Sequence, residues 1–144
     1  MIMSMHKQLL ENYLRKHSIT DKDKMDKIIK GFDLNSPVYL YNLNVGDRVF
    51  QYIRRPNSES EVRLGQWFAL KGSNMDSLGI FSGGSGRLLN EFEIVYPVQV
   101  IEGTAKSLPW DWKEDGIGGS GGATQMFMPS KLFYALRPLG IHFS

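Results

Sequence analysis

The sequence predicts an α+β fold, with a short helical segment packed on a mainly antiparallel sheet. Three features point there. Apolar residues recur at helical spacing over the first thirty positions, the texture changes at Gly31 to short β-branched and aromatic runs, and turn clusters separate those runs. The 144 residues are 42% hydrophobic and 22% charged, enough for one domain with a packed core.

The helical elements come first. Leu9, Leu10, Tyr13 and Leu14 form one apolar stripe, with Lys7, Glu11, Arg15 and Lys16 around the rest of the barrel. Thr20 is the expected cap of a second helix, with Asp21 and Asp23 favouring its positive N-terminal end. Met25, Ile28 and Ile29 are its apolar side, and Gly31 is the expected stop. A basic amphipathic membrane segment is disfavoured because acids interleave the lysines.

Strands are expected at Val38 to Tyr41, Arg48 to Ile53, Gln66 to Leu70, Phe92 to Ile101, Ala123 to Met128 and Leu132 to Leu136. Turn signals lie between them at Asn44-Val45-Gly46-Asp47, Pro56-Asn57-Ser58 and Lys71-Gly72-Ser73-Asn74, and in two glycine-rich loops. Phe92, Ile94 and Tyr96 alternate with Glu91, Glu93 and Val95, the pattern of a half-buried strand. Pro97 interrupts that run and marks a bend or an edge position.

Composition excludes several functions. The formal charge of +2 is too small to imply nucleic acid or membrane, despite a pI near 8.8. The absence of cysteine removes disulfides, zinc-thiolate sites, iron–sulfur clusters and a thiol nucleophile together. No apolar run has the length of a membrane span, and Met1 to Lys7 has no apolar signal-peptide core. His6, His17 and His142 show no metal-ligand spacing and supply no Ser-His-Asp triad, so no metal is expected. Gly116-Ile117-Gly118-Gly119-Ser120-Gly121 matches G-x-G-x-x-G literally, but it follows charged residues and leads into a strand, the reverse of a dinucleotide fingerprint. Gly83-Gly84-Ser85-Gly86-Arg87 lacks the Lys-Ser/Thr ending of a phosphate loop.

Three constellations remain. Arg48, Phe50 and Tyr52 share one strand face with Gln51 on the other, and an arginine inside a sheet needs an anion, either an internal carboxylate or a ligand phosphate. Trp67 and Phe68 face opposite ways, so one can be core and the other open to stack on a flat ring, with core packing of both the weightier reading on burial grounds. Trp110-Asp111-Trp112 with Glu114 and Asp115 precedes five glycines within seven residues, a density that suits a mobile lid or a close backbone approach to a ligand. That loop delivers Gln125 directly into a strand.

Taken in order, these blocks resemble a known family. Phe32-Asp33-Leu34-Asn35-Ser36-Pro37-Val38, Gly46 through Tyr52, Gly65 through Ala69, Ser77-Leu78-Gly79-Ile80, Arg87, Val100 through Ala105, and Gly121 through Phe127 are similar to the type 46 polymorphic-toxin domain of bacteria. A more distant similarity is to the tuberculosis necrotizing toxin group. The resemblance spans about residues 32 to 128, roughly two-thirds of the chain. It implies an ADP-ribosyltransferase-like fold at 32–144; the N-terminal helical segment 1–31 lies outside the resemblance, and the chain's length makes the two one compact domain. It also implies hydrolysis of NAD+ or NADP+ to nicotinamide and ADP-ribose (phosphate). The dinucleotide is then substrate, and no cofactor is required.

Carried over residue by residue, the resemblance makes Arg48, Gln51 and Tyr52 one wall of the dinucleotide cleft. Trp67 and Phe68 become the aromatic surface near nicotinamide, and Arg87 a contact to phosphate or ribose. Gln125 stands where transferases of this fold carry a catalytic glutamate. Glutamine is no general base, but it holds a ribose hydroxyl by hydrogen bonds. Nicotinamide leaves a ribosyl-pyridinium cation as a neutral molecule, so no acid is needed, and one carboxylate near the anomeric carbon suffices to stabilise the oxocarbenium-like transition state. Asp111, Glu114 and Asp115 are the acids beside the glycine loop, with Asp111 and Asp115 the chosen candidates. Transfer of ADP-ribose to a macromolecule and non-catalytic binding are the alternatives. The resemblance further implies a cognate immunity protein that plugs the cleft or holds the glycine loop, with Trp110 and Trp112 as its handle. Export by a specialised secretion system without a signal peptide, and action in the target-cell cytoplasm, follow from the same resemblance.

Overall fold

A computed structural model describes residues 2–53, 66–69, 88–106 and 124–143, with the backbone alone at 52–53, 88–89 and 141–143. Helix α1 runs Ile2–Lys16 and buries Leu10, Tyr13 and Leu14. It ends in a Schellman motif. Ser18 takes the left-handed conformation (φ 64°), Ile19 N–H donates to Leu14 O and Ser18 N–H to Arg15 O, and Ile19 is buried beyond them. Helix α2 runs Lys22–Ile29. Its cap is Asp21, whose carboxylate accepts from Lys24 N–H at 2.9 Å, and not Thr20 as expected. The acid one residue on has the reach to a free N–H of the first turn and adds a favourable charge there.

Gly31 also differs from its expected role. It does not end α2 by a positive φ. Its missing side chain lets the Trp67 indole approach, since a Cβ at Gly31 would lie 2.8 Å from Trp67 Cη2.

Among the described residues seven antiparallel strands follow: β1 Tyr39–Leu43, β2 Arg48–Ile53, β3 Trp67–Ala69, β4 Leu88–Ile94, β5 Val98–Thr104, β6 Thr124–Phe127 and β7 Leu136–Phe143. Their order in the sheet is β1-β5-β6-β3-β2-β4-β7. The run expected from Phe92 to Ile101 is two strands in different parts of the sheet, parted at Pro97. The strand expected at Leu132–Leu136 is instead a 3-10 helix, Ser130–Ala135, leading into β7. Local apolar content could not tell these two apart.

The short links force the sheet to fold over. β4 and β5 stand four strand spacings apart in the order, about 19 Å if flat. Ile94 to Val98 spans at most about 14 Å. The β1–β2 link at Asn44–Asp47 imposes the same closure, and the two links are tied together: Gly46 N–H donates to Ile94 O and Ile94 N–H to Asp47 O. Gly46 sits at φ 95°, where only glycine is comfortable. Residues from both ends of the sheet therefore meet in one core of Leu43, Val98, Val100, Met126, Phe68, Val49, Phe92 and Ile94, closed by Ala135 and Phe133. The opposite face packs Ile101, Phe127 and half-buried Trp67 against Leu10, Tyr13, Leu14, Met25, Ile28, Ile29 and Phe32. The two helices thus share a core with the sheet.

Candidate functional site

Cross-strand register sorts the sequence-derived site residues by face. Gly103, Gln125, Ala69, Phe50 and Glu91 are successive direct partners across five strands, so they lie in one row on one face. Gln125 identifies that face as the helix side, because its Nε2 donates to Gly31 O at 2.6 Å at the end of α2. Strand alternation adds Arg48 and position 52 of β2 and Trp67 of β3 to the same face. From the register, the Cα atoms of Gln125 and Arg48 are two strands and two residues apart, about 12 Å. Ala69 and Phe50 are the buried floor between them.

Gln51 and Phe68 lie on the other face, and this corrects their expected role. The period of two that puts Arg48 on the helix side sends Gln51 into the fold, where it is buried opposite Asn90. Phe68 is buried as well, with the edges of Phe92 and Phe133 at 5.8 and 6.0 Å from its ring, so it is a core residue and no platform for nicotinamide. Trp67 keeps the right face but is largely engaged, packed on Phe32 and Phe127 at 5.1 and 5.2 Å. Arg87, Asp111, Glu114 and Asp115, with Trp110 and Trp112, fall outside the described residues.

The anion expected beside Arg48 is an internal one. Arg48 lies 3.5 Å from Glu91, on a strand that is central and not an edge. The Arg48 side chain remains 63% exposed and Glu91 18%, so the pair is a weak surface bridge. Gln125 is 5% exposed. With Nε2 fixed by Gly31, its amide plane is set, and its remaining capacity is a second N–H and the Oε1 acceptor.

Sequence reasoning assigned no role to Glu102, which is 4% exposed on the inward face of β5. Tyr39 OH donates to its Oε1, while Oε2 is buried with no hydrogen-bond partner. A lone acid inside the apolar run Val98–Gly103 was the available signal. The hydrogen bond to Glu102, aided by burial, pushes the Tyr39 phenol up to about 12 from its ordinary 10.0. A raised folded value means that the fold favours the neutral phenol. That stabilisation is complete below pH 10 and is lost as pH rises through about 12. Ultraviolet titration is expected to show a tyrosinate step in that window which Tyr39→Phe removes; a step that survives the substitution would assign it elsewhere. Tyr13, donating to Gln99 O at 2.7 Å, is raised further by burial. His17 has both ring nitrogens buried without partners, and its ring packs on Tyr13 at 4.4 Å. Burial first, then Lys131 and Lys16, lower its pKa. It lies nearer the core than its place in the sequence suggests.

Among the described residues no helix is long and apolar enough to cross a membrane, and no group of three or more His, Cys, Asp or Glu residues could hold a metal. Neither a family model nor a curated protein sequence matches the chain. Solved structures do. The chain is similar to Tse6 in its complex with Tsi6, with a TM-score of 0.77 and 22% identity over 97% of this chain and 98% of that one. It is also similar to Rhs1-CT in complex with its cognate immunity protein RhsI1, with a TM-score of 0.50 and 19% identity over 78% and 83%. At these identities the likeness is one of fold.

Proposed function

We propose that the chain is an effector-toxin domain that hydrolyses NAD+ or NADP+ at the nicotinamide–ribose bond. The observation behind this reading is that Arg48 and Gln125 share one face, about 12 Å apart by register. Their side chains span that distance with a ribose and its adjacent phosphate between them. Arg48 takes the phosphate, exchanging Glu91 for a doubly liganded anion. Gln125 holds a ribose hydroxyl through its fixed amide. Nicotinamide departs neutral, and the oxocarbenium-like charge is met by a carboxylate, for which Asp111, Glu114 and Asp115 are the candidates. The motif order supports a type 46, ADP-ribosyltransferase-like assignment, and the two structural neighbours support the toxin reading.

Glutamine at position 125 supports hydrolysis over macromolecular transfer, because it cannot act as a general base toward an acceptor. Its Nε2 also donates to Gly31 O, a bond that an ionised glutamate would not make. An inhibitory protein partner belongs to the same reading, since both neighbours were solved with a bound partner, one of them a cognate immunity protein. Delivery into a target cell by a specialised secretion system completes it.

Purified protein mixed with NAD+ and followed for free nicotinamide tests the proposal. Turnover without an acceptor is expected; labelling that requires an acceptor would make the chain a transferase, and neither outcome would leave a binding module. Arg48→Ala is expected to raise KM about tenfold to a hundredfold with little change in kcat, because a lost phosphate contact weakens ground and transition states alike. A fall in kcat at constant KM would move Arg48 to the reacting centre.

A further inference from the structure

The two edges of the sheet formed by the described residues are built differently. β7 is defended. Its pairing with β4 is broken by a bulge between Glu91 and Phe92, Pro138 interrupts its ladder, Gly140 takes a positive φ, and Arg137 pairs with Glu93. Bulges, prolines and charges are how sheets refuse a further strand. β1 has none of these. Tyr39-Leu40-Tyr41-Asn42-Leu43 carries no charge and no proline, and pairs one-to-one with β5 over all five residues. Tyr39, Leu40 and Tyr41 are 44%, 42% and 36% exposed. They alternate between the two faces, so both faces of β1 are open from Tyr39 to Tyr41, and only Leu43 at its end is buried.

Behind this edge lies a buried carboxyl group with one oxygen unpartnered. Glu102 is the direct cross-strand partner of Tyr39, and its buried Oε2 has no partner. A buried carboxylate oxygen without a donor is destabilising, and an arriving cation relieves it. A strand added to β1 would put one residue opposite Tyr39, on the Glu102 face and about 9.6 Å from the Glu102 Cα. An extended Lys or Arg side chain, roughly 6–7 Å long, meets the glutamate across that gap. Tyr39 and Tyr41 offer their rings to the same cation on the way.

We infer that β1 is the docking edge for a protein partner that extends the sheet by one strand and brings a Lys or Arg opposite Tyr39 to pair with Glu102. A second copy of this chain is a poor occupant, because its own β1 has no basic residue to offer. The inhibitory protein of the previous section is one carrier of such a strand. The edge itself does not depend on the dinucleotide chemistry, since Arg48 and Gln125 work on the other face.

A phage-displayed library of short random peptides, selected on the folded protein, tests the inference without any dinucleotide. Selected peptides are expected to be extended sequences enriched in Lys or Arg. Their binding should fall about tenfold or more on Leu40→Lys or Tyr41→Lys, exposed changes that give β1 the guarding charge it lacks. Glu102→Gln, equal in shape, should abolish the basic preference while leaving weaker strand binding. Circular dichroism of each variant checks that it folds. Failure to enrich any peptide overturns the inference, as do peptides that bind the Tyr41→Lys protein undiminished or whose basic preference survives Glu102→Gln. Nicotinamide release, measured on the same preparations, reports separately on the hydrolase reading.

Discussion

Gln125→Ala is expected to lower NAD+ turnover by about 10²- to 10³-fold, the usual loss when one positioned hydrogen-bonding group is removed from a reacting centre. The fold should survive. Gly31 O keeps its second donor, Lys106 N–H at 3.0 Å, so the lost Nε2 bond costs about 1 kcal/mol. Single-turnover kinetics beside a urea melt separate the two effects. Near-normal turnover in a folded variant would remove Gln125 from the mechanism and leave it a clamp on α2. Gln125→Glu is the sharper control. An ionised carboxylate would face a carbonyl in a site with almost no solvent, so this variant should lose more stability than the alanine. Wild-type stability together with acceptor labelling would instead support a transferase.

Phe32→Ala is expected to cost about 3–5 kcal/mol, a large share of the 5–15 kcal/mol that holds a domain of this size. Phe32 is fully enclosed. Its ring packs on Trp67 and lies over Gly103, where a Cβ would come within 2.7 Å of it. The backbone around it is tied to β5, with Asp33 N–H donating to Thr104 O at 2.9 Å and Lys106 N–H to Gly31 O. This segment sets the position of Gly31, and through it the amide of Gln125. A shifted urea midpoint with unchanged slope is the expected signature. Residual turnover should fall with it. A loss under 1 kcal/mol would show that the helices are fastened by other contacts, and would sink the idea that Phe32 positions the site.

The helices were legible because their signals are local. Leu10, Tyr13 and Leu14, then Met25, Ile28 and Ile29, declare one apolar side at a period that nothing else produces. The turn at Asn44–Asp47 and the break at Pro97 were equally plain. Ser130–Ala135 was not, since a short apolar run reads alike as a strand and as a 3-10 helix. Arg48 and Gln51 were correctly put on opposite faces by strand alternation. Their joint assignment to one cleft came from the resemblance and ignored that alternation.

Sequence by itself determined which residues alternate, that the chain turns at Asn44–Asp47 and breaks at Pro97, and that Gln125 belongs to a strand. These follow from the periods of helix and strand and from the backbone preferences of glycine and proline, which act between near neighbours. Only the tertiary structure decided which strands meet. It joined Gly103, Gln125, Ala69, Phe50 and Glu91 into one row, turned Phe68 inward, put Gly31 O against the Gln125 amide, and left Glu102 buried behind an open edge. Those outcomes come from folding the sheet across four strand spacings, a closure in which two short links far apart in the chain are tied to each other, Gly46 and Asp47 to Ile94, and no local pattern encodes that tie.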